Sequence, residues 1–258
     1  MNMEIKVVEV RGKKIGGERP QICVPMVGKT KEQLISEAEI IANIKPDLIE
    51  WRVDYYDLVD SIPDVLESLS ALREILTDYP IIFTCRIDKE GGYRKIAQAH
   101  RLELIKTVIK TKKIDIIDFE LINDKEEIRE ILEVAKANGI YAIISNHDFK
   151  ETPSIESIIE TLIKEQELGA DIAKIAVMPN NMEDVLNLLY ATNTFIEKHA
   201  KVPVIAMSMS TKGLISRIAG GFFGSSVTFG LAKEASAPGQ IATPELKAVL
   251  DILQKNMK

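Results

Sequence analysis

The sequence predicts an α/β fold, a (β/α)8 TIM barrel preceded by an N-terminal β-hairpin. Eight short runs rich in Ile, Val and Phe alternate with helical patterns, as expected of parallel strands covered on both faces. A chain of 258 residues also matches the length of about 250 residues that one such barrel needs. An open, doubly wound sheet is the alternative. The predicted strands are 21–27, 47–54, 80–86, 114–120, 141–149, 172–178, 202–210 and 225–232.

Helix signals occupy the segments between these runs. They consist of apolar residues at helical spacing, of a stop signal at Gly139 or Gly169, and of a proline in the first turn. Helices are predicted over 29–43, 97–110 and 126–138 and are predicted to begin near 152–154 and 243–245. Residues 1–20 precede the first repeat and are predicted to form a hairpin around Arg11-Gly12-Lys13-Lys14 that covers the barrel bottom. We expect residues 1–258 to form a single domain.

Charge and composition narrow the class of protein. The net charge of −6, with acidic and basic residues mixed along the chain, disfavours a nucleic-acid partner, which usually requires a basic face. The sequence shows neither an apolar run of roughly 18 residues, as a membrane span requires, nor the apolar stretch of a signal peptide. Cys23 and Cys85 lie in apolar runs and are expected to be buried and unpaired. A cytoplasmic protein with no membrane partner is therefore expected.

Two residues stand out at the barrel's predicted working face. Lys174 interrupts the sixth apolar run, and a lysine is rarely buried without a partner. It either extends its amine to solvent or serves as an amine nucleophile. His147 ends the fifth strand, where barrels of this type place catalytic groups, so it is either a general acid and base or a structural histidine. Because the two strands are adjacent, we expect the two side chains to be close.

Charged residues also fall late in the second, third and fourth strands. Residues two apart on a strand point to the same face, and buried charges are costly unless they are paired or used. The group therefore indicates either ion pairs at the barrel mouth or a polar binding site. It lacks the histidine and cysteine ligands of a zinc site, so no metal is expected. Its members are Glu50, Arg52, Arg86, Glu90, Asp118 and Glu120.

The last third of the chain carries glycine- and serine-rich loops after strands seven and eight. Loops at these positions often bind anions in this fold. Arg217 is suited to bind a carboxylate with two hydrogen bonds, and Ser236 and Gln240 are able to donate further ones. Ordinary loop chemistry is the alternative, because glycine and serine are common in turns.

These residues resemble the type I 3-dehydroquinate dehydratase family. The matching motifs occur in the family's order and span nearly the whole chain. The chain departs from the pattern at Pro25, where some relatives carry serine, and this puts one contact with the substrate in doubt. The motifs are EWRVD (50–54), FTCR (83–86), EGG (90–92), SNHDF (145–149), KIAVMP (174–179), MSM (207–209), SR (216–217) and SAPGQ (236–240).

The resemblance implies a lyase of the shikimate pathway, in aromatic amino acid biosynthesis, that converts 3-dehydroquinate to 3-dehydroshikimate. It implies that Lys174 forms a Schiff base with the substrate, that His147 is the general acid and base, and that Glu90 orients His147. It also implies a homodimer that needs no metal or other cofactor. Binding roles would fall to Glu50, Arg52 and Arg86 for ring hydroxyls, Arg217, Ser236 and Gln240 for the carboxylate, and Met209 for the ring.

Two other functions remain open at this point. A class I aldolase would use a lysine on the same strand, but a phosphate-bearing substrate would favour a glycine-rich backbone nest over Arg217. A non-catalytic ligand-binding barrel would not need both Lys174 and His147. Whether the loop over 232–242 closes over the substrate is not determined by the sequence.

Overall fold

The computed structural model describes residues 5–232 and 239–256. Within this part of the chain, eight parallel strands form a closed barrel. The first and last strands pair through Cys23 and Phe229, and the ring closes where the Ser226 N–H donates to Val204 O at 2.7 Å. This closure excludes the open, doubly wound sheet. The strands are β3 (Gln21–Met26), β4 (Leu48–Arg52), β5 (Ile81–Thr84), β6 (Ile116–Glu120), β7 (Tyr141–Asp148), β8 (Ile172–Val177), β9 (Val204–Ser208) and β10 (Val227–Leu231).

A helix follows each barrel strand along the chain. Gly139 ends the fourth helix with a φ of 73°, a left-handed conformation that glycine adopts without a steric cost. The predicted helices are present, with ends shifted by one or two residues. A two-residue strand, β11 (Ile241–Ala242), pairs in parallel with the last two residues of β10. The helices are α1 (Lys31–Ile44), α2 (Ile62–Ile75), α3 (Gln98–Thr111), α4 (Lys125–Asn138), α5 (Ile155–Glu167), α6 (Met182–Lys198), α7 (Leu214–Ala219) and α8 (Thr243–Lys255).

The predicted hairpin is formed by β1 (Val8–Val10) and β2 (Lys13–Ile15), which pair antiparallel. Its turn lies at Arg11 and Gly12, both with positive φ, as a two-residue turn between twisted strands requires. Val8, Val10 and Ile15 belong to the same buried apolar cluster as the first inward-facing residues of the barrel strands. The hairpin therefore covers the bottom of the barrel.

Ion pairs fasten the N-terminal segment to the same end of the barrel. Three aspartates at strand starts each accept a backbone N–H from a neighbouring strand, and each also pairs with a cation from the segment before residue 20. The pairing offsets the cost of holding a carboxylate close to the apolar interior. The pairs are Lys6–Asp171 at 2.9 Å, Arg11–Asp115 at 2.7 Å and Arg19–Asp47 at 2.9 Å, and the N–H donors are Ala142, Ile81 and Ile22.

The barrel interior changes from apolar to polar along the strands. In β4 to β8 the first inward-facing positions carry Leu or Ile and pack against the hairpin. The inward positions two and four residues further along each strand are mostly polar and buried, because side chains alternate between the two faces. The polar end is the carboxyl end, where this fold holds its functional sites. The inward series are Leu48–Glu50–Arg52, Ile82–Thr84–Arg86, Ile116–Asp118–Glu120, Ile143–Ser145–His147 and Ile172–Lys174–Ala176.

The outward faces of the strands pack against the helices in separate apolar clusters. Trp51 and Phe83 lie there in an edge-to-face contact with ring centroids 5.6 Å apart. Cys23 and Cys85 are both buried and unpaired, as predicted. In residues 5–232 and 239–256, no helix combines the length and the apolar character needed to cross a bilayer.

Candidate active site

A cavity opens at the carboxyl end of the barrel and, with its open mouth included, contains about 450 Å³ of empty space. Its wall combines cationic, anionic and apolar side chains, so it suits a small polar molecule with one apolar face. The described residues that line it are Glu50, Arg52, Arg86, Glu90, His147, Phe149, Lys174, Ala176, Met207, Met209, Arg217, Phe229 and Gln240.

Lys174 projects from β8 into this cavity and is only 3% exposed. Its amine donates to Asp118 Oδ2 at 2.7 Å and lies 3.7 Å from Glu50 Oε1. The amine also lies 4.9 Å from the centre of the Phe229 ring, within the range of a cation–π contact. The lysine therefore does not reach solvent, and its amine is held at the wall of the cavity.

Asp118 is the centre of the buried charge network around Lys174. Its Oδ1 accepts from Ser145 Oγ at 2.7 Å and from Arg86 Nη2 at 2.9 Å. Burial alone would raise the pKa of Asp118, but Arg86 and Lys174 lower it far below its ordinary value. Asp118 is therefore a carboxylate at every pH at which the protein works.

Arg86 connects Asp118 to a second buried carboxylate. Its Nη1 donates to Glu120 Oε1 at 2.9 Å, and Arg101 pairs with the other oxygen of Glu120. Although burial acts to lower the pKa of Arg86, Asp118 and Glu120 raise it above its ordinary value. The pairing satisfies charges that would otherwise be very costly inside the barrel, and it fixes the direction of the guanidinium.

His147 and Glu90 form a hydrogen-bonded pair on the same side of the cavity as Lys174, because β7 and β8 are adjacent strands. Glu90 Oε2 accepts both the backbone N–H of His147, at 2.9 Å, and the ring Nδ1–H, at 3.0 Å. We assign the ring proton to Nδ1, the tautomer in which Oε2 accepts both N–H groups of His147. The other ring nitrogen, Nε2, then carries a free lone pair, as a general base requires.

Burial shifts both members of this pair towards their neutral forms. Burial raises the pKa of Glu90 to about 8, although Arg86 acts in the opposite direction. Burial, together with the charges of Arg86 and Lys174, lowers the pKa of His147 well below 6.5. A neutral imidazole at neutral pH is the form that accepts a proton.

The Glu90 turn is held in place by close packing. Gly91 has a φ of 83°, and a Cβ at this position would lie 2.3 Å from the ring of Phe149. Its carbonyl accepts from Arg52 Nη2 at 3.2 Å. Arg52 is in turn held by two hydrogen bonds to Asp54, at 2.8 and 2.7 Å. The turn therefore couples the position of Glu90 to that of Arg52.

The cavity wall also contains Arg217, Gln240 and Met209. Arg217 is 2% exposed, and its Nη1 lies 3.5 Å from Phe229 O. Burial lowers the pKa of Arg217 to about 10, so its guanidinium remains a cation at neutral pH. Met209 is buried at the end of β9. A cation and an amide therefore line the same cavity as Lys174.

The structure brings nine of the ten predicted site residues to this one cavity. Ser236 lies outside the described residues. The sequence assigned no role to Phe149, Met207 and Phe229, which also line the wall, because apolar residues in strands read as core. The sequence indicated Asp118 only as a charged residue late in its strand. Its contact with Lys174 arises because the two residues occupy inward-facing positions on β6 and β8. Within the described residues no group of His, Cys, Asp and Glu is arranged to hold a metal ion.

The arrangement supports chemistry at a carbonyl. An amine nucleophile, a neutral imidazole with a free nitrogen and a separate buried guanidinium face one enclosed space. An amine condenses with a ketone, and the resulting iminium makes the neighbouring C–H more acidic, so that a histidine is able to remove its proton. A guanidinium suits a carboxylate on the same molecule.

Comparisons with known proteins agree with this chemistry. The model of the family described as type I 3-dehydroquinase matches residues 22–257. The 3-dehydroquinate dehydratase of Bacillus licheniformis is 50% identical over 252 residues, covering 98% of this chain and 99% of the relative. The solved type I 3-dehydroquinate dehydratase of Clostridium difficile has a TM-score of 0.94 and 46% identity, covering 97% of this chain and 98% of that one. The solved enzyme of Geobacillus kaustophilus has a TM-score of 0.96 and 38% identity, with both chains fully covered.

Proposed function

The chain belongs to the type I 3-dehydroquinase family, and we propose that it dehydrates 3-dehydroquinate to 3-dehydroshikimate through a Schiff base on Lys174. The observation that carries the proposal is that a buried lysine and a histidine on adjacent strands line the same cavity. The reaction belongs to the shikimate pathway, and the enzyme is a lyase.

The first step joins Lys174 to the substrate. The amine must give up a proton, and its lone pair then attacks the C3 ketone. The two protons that the nitrogen loses leave with the ketone oxygen as water, so the product is an iminium on Lys174. The positive nitrogen accepts electrons better than the ketone oxygen, so the proton on the neighbouring C2 is easier to remove. Asp118 and Glu50 lie close to the amine and would stabilise its cationic forms through this step.

His147 carries the proton through the elimination. Nε2 takes the C2 proton, and the electron pair of the C–H bond moves towards the iminium to form an enamine. The enamine returns its electrons and expels the C1 hydroxyl, which takes the proton from His147 and leaves as water. Hydrolysis then releases 3-dehydroshikimate and restores the amine. Glu90, bonded to Nδ1, orients the ring through both half-reactions.

The remaining predicted residues would hold the substrate ring. Arg217, with Gln240 and Ser236, would bind the carboxylate, and Met209 would pack against the ring. Glu50, Arg52 and Arg86 would bind ring hydroxyls. Arg52 and Arg86 are already fixed by buried carboxylates, so binding requires little loss of side-chain entropy.

Borohydride trapping tests the proposal directly. Reduction converts an iminium to a stable amine, so mass spectrometry after treatment with 3-dehydroquinate should find the ligand on Lys174. Lys174→Ala should abolish turnover while keeping the fold. An adduct confined to any other lysine, or full activity in Lys174→Ala, would contradict the mechanism. A class I aldolase would instead release a cleaved carbon fragment, which product analysis in the same experiment would detect.

We further propose that the enzyme is a cytoplasmic homodimer. Met182, Leu186 and Tyr190 lie one helical turn apart on the outer face of α6 and are 56%, 63% and 60% exposed. A two-fold axis at Leu186 would place Met182 of one copy beside Tyr190 of the other, which makes the stripe self-complementary. Two unpaired cysteines suit a reducing compartment. Sedimentation should give twice the chain mass, and Leu186→Glu should shift it towards the monomer; an unchanged dimer would exclude this face.

A further inference from the structure

Glu165 is a buried acidic residue that the proposed reaction does not use. It lies near the end of α5, is completely buried, and accepts the backbone N–H of Lys174 on Oε2 at 2.9 Å. The contact joins a helix side chain to the main chain of the residue whose amine enters the cavity. No other barrel helix in the described part of the chain makes this contact with Lys174.

The surroundings of Glu165 would suit an apolar residue. The buried face of α5 also carries Ile158 and Leu162, which pack against the outward residues of β8. A carboxyl group in such a layer costs free energy unless a hydrogen bond satisfies it. Burial raises the pKa of Glu165 well above its ordinary value, which favours the neutral form of the group. Neutrality reduces the cost but does not explain why an acid occupies the position.

The contact made by Glu165 differs from those made by the aspartates at the barrel bottom. Asp47, Asp115 and Asp171 also accept strand N–H groups, but they do so at strand starts and each pairs with a cation. Among the ion pairs of the described residues none includes Glu165. Its acceptor oxygen meets the middle of a strand, at Lys174, where the inward side chains are polar.

We infer that Glu165 is a positioning residue for Lys174, because its carboxyl oxygen fixes the peptide plane from which the catalytic side chain projects. A small rotation of that plane moves the amine at the far end of a long side chain. The amine must stay between Asp118 and Glu50 and must meet the C3 carbon within a narrow range of directions. This inference rests on the proposed function, since it assigns the residue a role through the nucleophile.

Two substitutions separate positioning from simple packing. Glu165→Met keeps the length of the side chain but removes the acceptor, whereas Glu165→Gln keeps a neutral acceptor oxygen. We expect Glu165→Met to lower kcat by at least about tenfold, since misplacing a reacting group by about 1 Å costs on the order of a hundredfold. KM should change little, because Glu165 does not line the cavity. Glu165→Gln should restore kcat to near the wild-type value.

Single-turnover trapping identifies the affected step. The rate at which borohydride-reducible adduct forms on Lys174 should fall in parallel with kcat in Glu165→Met and recover in Glu165→Gln. Asp171→Ala is the matched control. It removes the carboxylate that accepts the Ala142 N–H, and Ala142 is not among the residues that line the cavity. It should lower the melting temperature while leaving kcat per folded enzyme unchanged.

The outcomes are distinguishable. Wild-type kcat and adduct formation in folded Glu165→Met would overturn the inference, as would an equal loss of kcat in Asp171→Ala. If Glu165→Met does not fold, Glu165→Gln still decides, because a folded variant with a tenfold loss of kcat would contradict the acceptor role. Absence of any adduct in the wild-type enzyme would overturn the proposed function itself, before the variants are compared.

Discussion

The Lys174 amine and Asp118 Oδ2 lie 2.7 Å apart in a fully buried ion pair. The same carboxylate accepts from Ser145 and Arg86, so the resting nucleophile is part of a network that extends across three strands. Attack on the substrate requires the amine to give up a proton in the presence of this carboxylate. The network therefore holds the lysine in position and also sets the charge balance from which the reaction starts.

Asp118→Asn should destabilise the protein strongly. Removal of one partner from a buried ion pair typically costs about 3–5 kcal/mol, because the other charge stays buried without compensation. Both Lys174 and Arg86 would lose this partner. Urea unfolding should show the loss, and Glu126→Gln is the control, since its pair with Arg129 is exposed and should contribute at most about 1 kcal/mol. Similar stability of both variants would mean that the buried pair contributes little.

His147→Ala should separate imine formation from elimination. Lys174 keeps its place, so the imine should still form, but no base is left to take the C2 proton. Loss of general acid–base catalysis typically lowers the rate by about 10²–10⁴-fold. Intact-protein mass spectrometry should then detect a covalent adduct without borohydride. Normal turnover in this variant would remove His147 from the mechanism.

Glu90→Gln should change how stability depends on pH. The pKa of Glu90 is raised to about 8, so the folded protein retains a proton that the unfolded chain loses near pH 4.5. Its contribution to stability is therefore present below pH 4.5 and is lost as pH rises to about 8. Glutamine does not titrate, so the variant should gain stability relative to wild type from pH 5 to 8, on the order of a few kcal/mol. Parallel pH curves would show that Glu90 ionises normally.

Arg217→Lys should not behave as a conservative substitution. Lysine cannot reproduce the two parallel hydrogen bonds of a guanidinium to a carboxylate. A hydrogen bond to a charged group contributes about 1.5–3 kcal/mol, so kcat/KM should fall roughly 10- to 150-fold. Stabilisation by added ligand should shrink, while the melting temperature without ligand stays near wild type. Wild-type kinetics would place the carboxylate elsewhere and reopen the aldolase alternative.

Activity should survive exhaustive treatment with EDTA. In the proposed reaction the iminium on Lys174 accepts the electrons, and a bound cation is not needed for that step. Turnover would be measured before and after dialysis against the chelator, with an enzyme known to need zinc as a positive control for stripping. A loss of turnover that a divalent ion restores would contradict the mechanism.

Local patterns in the sequence determined the architecture. Eight β-rich apolar runs and the helix signals between them predicted the strands within a few residues, because a strand covered on both faces is recognisable from its own composition. The hairpin was predicted around residues 11–14, and the structure places its turn at Arg11 and Gly12. Lys174 and His147 were found because a charge or a titratable ring is conspicuous in an apolar run.

Only the tertiary structure decided which groups meet. Asp118 and Lys174 are 56 positions apart in the sequence, and Glu90 and His147 are 57 apart. Nothing in the sequence distinguishes Glu165 from the other polar residues of its helix. In the structure its side chain points inward and accepts the Lys174 N–H. Periodicity predicts the face of a strand or helix on which a side chain lies. The partners of that side chain, its burial and the resulting pKa shift depend on how the closed sheet places distant strands side by side.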